Sequence, residues 1–571
     1  MDCFKKTRPN LLLLILIIII VPLINSEHVK RDEHMTHTHT QPETITIPQI
    51  NDNDELFMGI GKNPFWLKEQ NFMLWLHIIS MIISFGTLIP IGIVLGFANV
   101  KSIWYINIQS IGILIIFMGF FFGVMFGSSK SQDIYPSNFH SKFGWLILIS
   151  FLLHTIFGFI KFIINEKKNN KNDKVKYINI SISDESNESL VDSRSSSVDN
   201  SSSTSSSHNE SLLLDSSKKE YLNPSNPSKN NFHSKIPSSL LFSKNLNKII
   251  YNLSSLILIF FIYTQFLLGF ITLSDTCHDE SLGNCLAHYI KGSIFFWFGL
   301  VAFIRYLGFF ENFGWEWNLL PLSSLDNFND ERFQKGKFSF SLLESIIIFL
   351  YGIINTFLEH TGKDQSWNHR DVQHATLAFM WWWAGLLGII LENKNIRKVL
   401  FSKSKIPIAN PIPSIIFIIT AISISSHHQR TEFSLGVHRQ FGGFLLLAGI
   451  FRLFTIIILY FTNITNNNNN YNYDNNNDDD YNTKSSKSSS KSSSKIIIHP
   501  PTELISSFCF VSSGITLMLS NKSLSSLFDD VYNFDINFVL NLVISLSFIT
   551  LSFVTILLFI YKYSLSCKKM N

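Results

Sequence analysis

Long apolar runs alternate with short polar joints along most of this chain. The pattern predicts eleven membrane-crossing helices, at 72–98, 103–127, 143–165, 249–273, 288–310, 338–358, 374–392, 412–427, 438–462, 502–520 and 537–561. A hydrocarbon core about 30 Å thick needs roughly 20 residues of helix, and lipid offers no partner to an unpaired backbone group. The expected fold is therefore all-α: a polytopic membrane protein of about eleven transmembrane helices in two bundles, three and then eight, after a signal peptide.

The polar joints divide the chain further. Residues 1–26 carry Lys5, Lys6 and Arg8 ahead of a short apolar core and read as a secretory signal removed near Ser26. A His-containing lumenal segment, 27–71, precedes the three-helix module at 72–165. The Ser/Asn-rich stretch 166–247 leads to the eight-helix domain at 248–562, itself interrupted by the Asn-rich loop 463–495 and followed by a basic tail, 563–571. Both low-complexity stretches lack the apolar surface to offset ordering and are expected to be disordered cytosolic linkers.

Alternating from a lumenal start puts Lys101, the run KFIINEKKNNKNDKVK at 161–176, the loop ENKNIRKVLFSKSK at 392–405 and the tail at Lys568 and Lys569 in the cytosol, as the positive-inside rule requires. The N-terminus is then lumenal or extracellular and the C-terminus cytosolic, in an endomembrane or the plasma membrane. The sequons at Asn179, Asn187, Asn200 and Asn209 fall on the cytosolic side and Asn521 on the lumenal side, as the expected glycan acceptor. Cys277 and Cys285 share a lumenal loop and are expected to form a disulfide.

Composition sharpens this picture. Hydrophobic residues make up 46% of the 571, Phe alone supplies 53, and charged residues are 15% with a net charge of +4. The cations sit between apolar runs, with no continuous basic face, so the partner is the lipid bilayer and not nucleic acid. No nucleophile triad, phosphate loop or nucleotide fingerprint stands in a suitable context, so an enzyme is disfavoured; if there is one, it is a membrane oxidoreductase.

The membrane-proximal histidines gather at the lumenal ends of helices. His77 and His140 enter at similar depth on the first and third helices and can face each other as axial ligands of a haem b. His154, 14 residues on and about 21 Å deeper, is the candidate for a second haem. Alternatively His360, Asp371, His374, His427 and His438 line a lumenal mouth whose nitrogen and oxygen donors suit a divalent zinc, copper or iron ion. His34, His37 and His39 add a metal-collecting tract before the first helix. Deeper charges are expected to pair by depth, Arg305 with Glu344 and Glu392 with Arg452.

Four stretches, DIYPSNFHSKFGW (133–145), CLAHYIKGSIFFWFGLVAFIRYLG (285–308), EHTGKDQSWNHRDVQHATLAFMWWWAGLLGIILE (359–392) and SSHHQ with HRQFGGFLLLAGIFR (425–452), resemble the YTP1-like family of multipass membrane proteins. That family has no established activity, so the resemblance implies the fold and leaves function open. The N-terminal module resembles the core of cytochrome b561-type electron carriers through His77, Pro90, Gly92, Trp104, Gln109, His140 and Gly144. Asn107 stands where those carriers place a histidine, so the resemblance implies a single haem between His77 and His140 and not a two-haem relay. Three functional readings follow: a non-enzymatic scaffold or sorting protein first, then a haem-binding redox module, then a lumenal metal-binding or transport protein. The sequence leaves homo-oligomerisation open.

Overall fold

The structure, a computed structural model, describes residues 72–99, 103–128, 139–188, 244–277, 282–310, 339–358, 369–393, 410–426, 431–475 and 501–570, with a few isolated positions between 395 and 429. Side chains are described to 163 in the third helix and to 461 in the ninth. Among the described residues the regular structure is all helical. The elements are α1 (Phe72–Ala98), α2 (Ile103–Ser128), α3 (Phe139–Glu188), α4 (Lys244–Leu273), α5 (Leu282–Tyr306), α6 (Phe340–Leu358), α7 (His369–Glu392), α8 (Ile412–Ser425), α9 (Glu432–Asn475), α10 (Pro501–Leu519), α11 (Lys522–Ser526) and α12 (Ile536–Met570). Helices α3 and α9 continue past their apolar runs, to Glu188 and Asn475, into stretches whose composition suggested disorder. Once a helix is nucleated, each added residue costs little.

Ten of these helices are long and apolar enough to cross a membrane. The remaining apolar helix, α8, has 14 residues, about 21 Å, which is short for a 30 Å core. Its neighbours compensate: Gly442 of α9 lies against Ser425 and Gly449 against Ser414, so α8 runs antiparallel to α9. The Trp381 indole of α7 donates to Thr420 Oγ1 at 2.7 Å.

Helix α1 widens into a π turn at Ser84–Leu88, directly before Pro90. Proline has no N–H to return to the preceding turn, and the widened turn absorbs the mismatch. Helices α1 to α4 enclose one apolar layer built from Phe85, Ile89, Ile116, Ile147, Phe151 and Leu258. Helix α4 packs on α3 as the fourth wall of this layer and, through Phe260 and Tyr263, also on α5 of the second half.

The C-terminal bundle is organised around α10, whose residues from Ser506 to Leu519 are almost all buried. Gly292 and Gly299 of α5 let the two backbones nearly touch: a methyl group on Gly292 would stand 2.6 Å from the Gly514 carbonyl. Helix α5 stops at Gly308, whose φ of 75° lets Phe309 N–H reach back to the Ile304 carbonyl. Helix α12 lies along both bundles, touching α10 through Ser547 and Ser512 at 2.9 Å and placing Ile560 beside Leu95 and Tyr105.

Candidate functional site

The Cys277–Cys285 disulfide forms as expected and marks one end of the bundle. At that end two pairs of imidazoles face each other. In the N-terminal bundle His77 of α1 and His140 of α3 have ring centroids 6.3 Å apart and planes at 86°. His77 Nδ1 is 2.8 Å from the Gly119 carbonyl; a carbonyl only accepts, so Nδ1 carries the proton and Nε2 is left as the ligand nitrogen. Gln265 of α4 donates to the His140 carbonyl at 3.1 Å.

Glycines make room beside both rings. A methyl group on Gly123 would stand 2.7 Å from His77 Nδ1, and one on Gly269 would stand 3.1 Å from His140 Cε1. The neighbouring turns are aromatic: Phe120 packs on Trp145 at 5.0 Å and Phe143 on Phe261 at 5.4 Å. Two imidazoles binding one iron through bonds of about 2 Å hold their ring centres about 6 Å apart. The separation, the fixed tautomer of His77 and the apolar surroundings all fit a haem held by this pair.

His154 does not repeat the arrangement. Its Nδ1 lies 3.0 Å from Ser254 Oγ and its ring stacks on Tyr251 at 4.8 Å, so among the described residues it meets no second imidazole. Ser254 gives its own proton to the Tyr251 carbonyl, so His154 Nδ1 is the donor and the buried Nε2 is an acceptor left without a partner. One turn away Gln109, 5% exposed, has both amide atoms unpartnered and packs on Gly92. This polar layer lies beneath the apolar one; His154 was read from the sequence as a candidate haem ligand and Gln109 only as part of the resemblance to b561-type carriers.

In the C-terminal bundle His438 of α9 faces His288 of α5, with centroids 6.1 Å apart and planes at 84°. His374 of α7 is within electrostatic reach of both. Asp371, one turn before it, is buried. Of the expected metal set, then, His374 and His438 come together with His288, while His360 and His427 lie outside the described residues. Among the described residues no three His, Cys, Asp or Glu side chains converge on a point that could hold a metal ion. Asn521 caps α11: its Oδ1 accepts from Leu524 N at 3.0 Å, its Nδ2 donates to the Met518 carbonyl at 2.9 Å, and it is fully buried. That amide nitrogen has no space for a glycan in the folded chain.

At the opposite end four charges meet, and not in the expected pairs. Arg305 binds Glu503 at 2.9 Å, while Arg452 binds Glu344 and reaches Glu503 at 3.7 Å. Glu392 instead accepts from Ser339 Oγ at 3.0 Å. Phe340 stands between the guanidinium groups, 4.2 Å from Arg305 and 5.8 Å from Arg452. Two cations and two anions cancel, which a low-dielectric interior demands. Glu503, in the first turn of α10, had no place in the expected pairing. Its place at the same end of the membrane as Glu344 was the signal that could have found it.

These features define a multipass helical membrane protein with histidine pairs at one end and a neutral charge cluster at the other. The protein YTP1-like C-terminal family model matches residues 261–562, and a domain of unknown function, DUF2427, matches residues 63–164. The chain belongs to the YTP1-like family. It is 27% identical to the uncharacterized membrane protein C3B8.06 of Schizosaccharomyces pombe, over 81% of this chain and 89% of that one. In Saccharomyces cerevisiae it is 30% identical to the uncharacterized membrane protein YCR061W over 48% of this chain and 42% of that one, and 27% identical to protein YTP1 over 33% and 34%. No solved structure matches.

Proposed function

We propose that the bundle of α1 to α4 is a one-electron redox module that holds a single haem b between His77 and His140, at the lumenal or extracellular face. The observation that carries this reading is the facing of the two imidazoles at 6.3 Å, with His77 Nδ1 fixed on the Gly119 carbonyl. The haem, when bound, supplies reversible one-electron chemistry. The chain's own residues orient it: Gly119 sets the tautomer of His77, Gln265 anchors the backbone of His140, and Gly123 and Gly269 keep space beside the rings. The apolar layer beneath the pair separates it from the polar layer at His154 and keeps water out.

The test is an absorption spectrum of the detergent-purified full chain, oxidised and then dithionite-reduced, with the haem counted as its pyridine complex. One haem per chain is expected, lost in His77→Ala and in His140→Ala and kept in His374→Ala. A folded, colourless protein overturns the reading and leaves the non-enzymatic scaffold or sorting role.

A further inference from the structure

The histidine pair of the C-terminal bundle presents two free ligand nitrogens at one opening, with its rings 6.1 Å apart. His288 Nδ1 lies 2.8 Å from the Asn284 carbonyl, and His438 Nδ1 lies 2.8 Å from the Ser434 carbonyl. Carbonyls only accept, so in the neutral rings both Nδ1 atoms carry the proton and both Nε2 atoms carry lone pairs. Two acceptors cannot bond to each other. A cation shared between the rings satisfies both, and a backbone carbonyl accepting from the far nitrogen is what usually orients a metal-binding histidine.

The surroundings separate this pair from the one in the N-terminal bundle. His77 and His140 sit among glycines and aromatic rings. His288 and His438 have the disulfide three residues before His288, and Lys291 and Arg439 close by in sequence. His288 is only half-buried. Such a mouth suits a small hydrated ion better than an apolar macrocycle.

We infer that His288 and His438 form a two-imidazole site for a nitrogen-preferring transition-metal ion, zinc or copper. Imidazole donors favour these ions, and copper stands above zinc in intrinsic affinity. Water fills the remaining coordination positions. With only two protein donors the ion stays exchangeable, and the positive charge of Lys291 opposes it. The site is therefore built for loading and release and not for permanent structure. It is independent of the haem reading, since neither α5 nor α9 contributes to the His77–His140 pair.

The test uses the full chain in detergent, stripped of metal, with His34, His37 and His39 changed to Ala so that the N-terminal tract cannot bind the probe. Equilibrium dialysis against Cu(II), and separately Zn(II), is expected to show one ion per chain. His288→Gln and His438→Gln should each weaken it at least tenfold, whereas His140→Ala should leave it unchanged. Retention of the ion in a double His288→Gln/His438→Gln chain that melts like the parent overturns the inference. If those variants fail to fold, the electron paramagnetic resonance spectrum of Cu(II) on the parent decides. Coupling to imidazole nitrogen supports the site, and its absence overturns it.

Discussion

The imidazoles of His77 and His140 stand 6.3 Å apart with their planes nearly perpendicular, one from the first helix and one from the third. The space beside them is kept by glycine. Gly123→Val adds a branched side chain whose Cβ alone would stand 2.7 Å from His77 Nδ1, and should cut haem content at least severalfold while the protein still folds. A haem-to-protein ratio equal to wild type, measured on monodisperse protein, would show that the pair does not hold the group.

The charge cluster predicts a strongly non-additive stability pattern. Glu503→Gln leaves Arg305 without its direct partner and Arg452 with one carboxylate instead of two, in a buried site. The expected loss is about 3–5 kcal/mol, read from thermal melting in detergent. Replacing a whole pair, Arg452→Met with Glu344→Met, should cost less than either single change, because no uncompensated charge remains. Additive losses would mean the charges are solvated.

The disulfide closes a short loop, eight residues apart in sequence. Cys285→Ser should lower stability by about 2–3 kcal/mol through the freed loop entropy. It should also expose Cys277 to thiol-reactive maleimide under denaturing, non-reducing conditions. A wild-type chain that takes up the reagent at Cys277 before reduction would contradict the bond.

Asn521 is expected to behave as a structural cap. Asn521→Ala should cost about 1 kcal/mol or somewhat more, since it removes the cap and a second buried bond, and glycosidase treatment should leave the mobility of the wild-type chain unchanged at this position. A glycan found at Asn521 would require a different local fold.

Depth was legible in the sequence and azimuth was not. A helix advances 1.5 Å per residue, so counting from the ends put His77 level with His140, Arg305 level with Glu344, and Glu392 level with Arg452. A nearly uniform apolar surface carries no stripe to say which face meets which neighbour. The partners of Arg452 and Arg305 were therefore misassigned to Glu392 and Glu344, and nothing in the pattern showed that His288 faces His438. Asn521 shows a different limit: the same three residues NKS encode a sequon and a helix cap, and only burial distinguishes them. The double role of α4, whose Leu258 joins the layer around Phe151 while its Tyr263 packs on α5, carries no mark in its nearly uniform apolar sequence.

Helix α1 is the first of the described helices to leave the ribosome and α12 the last, and Leu95 of one packs beside Ile560 of the other. Translation at about 5–20 residues per second separates the two by roughly 20–90 s. During that interval the part of α1 that α12 will cover has only lipid, or an insertion factor, against it, while α2 to α4 can already close around the histidine pair. A cofactor would thus have a timed opportunity to enter the N-terminal bundle before the final helix seals its flank, and a chain that stalls short of α12 would leave the membrane with an unsealed bundle.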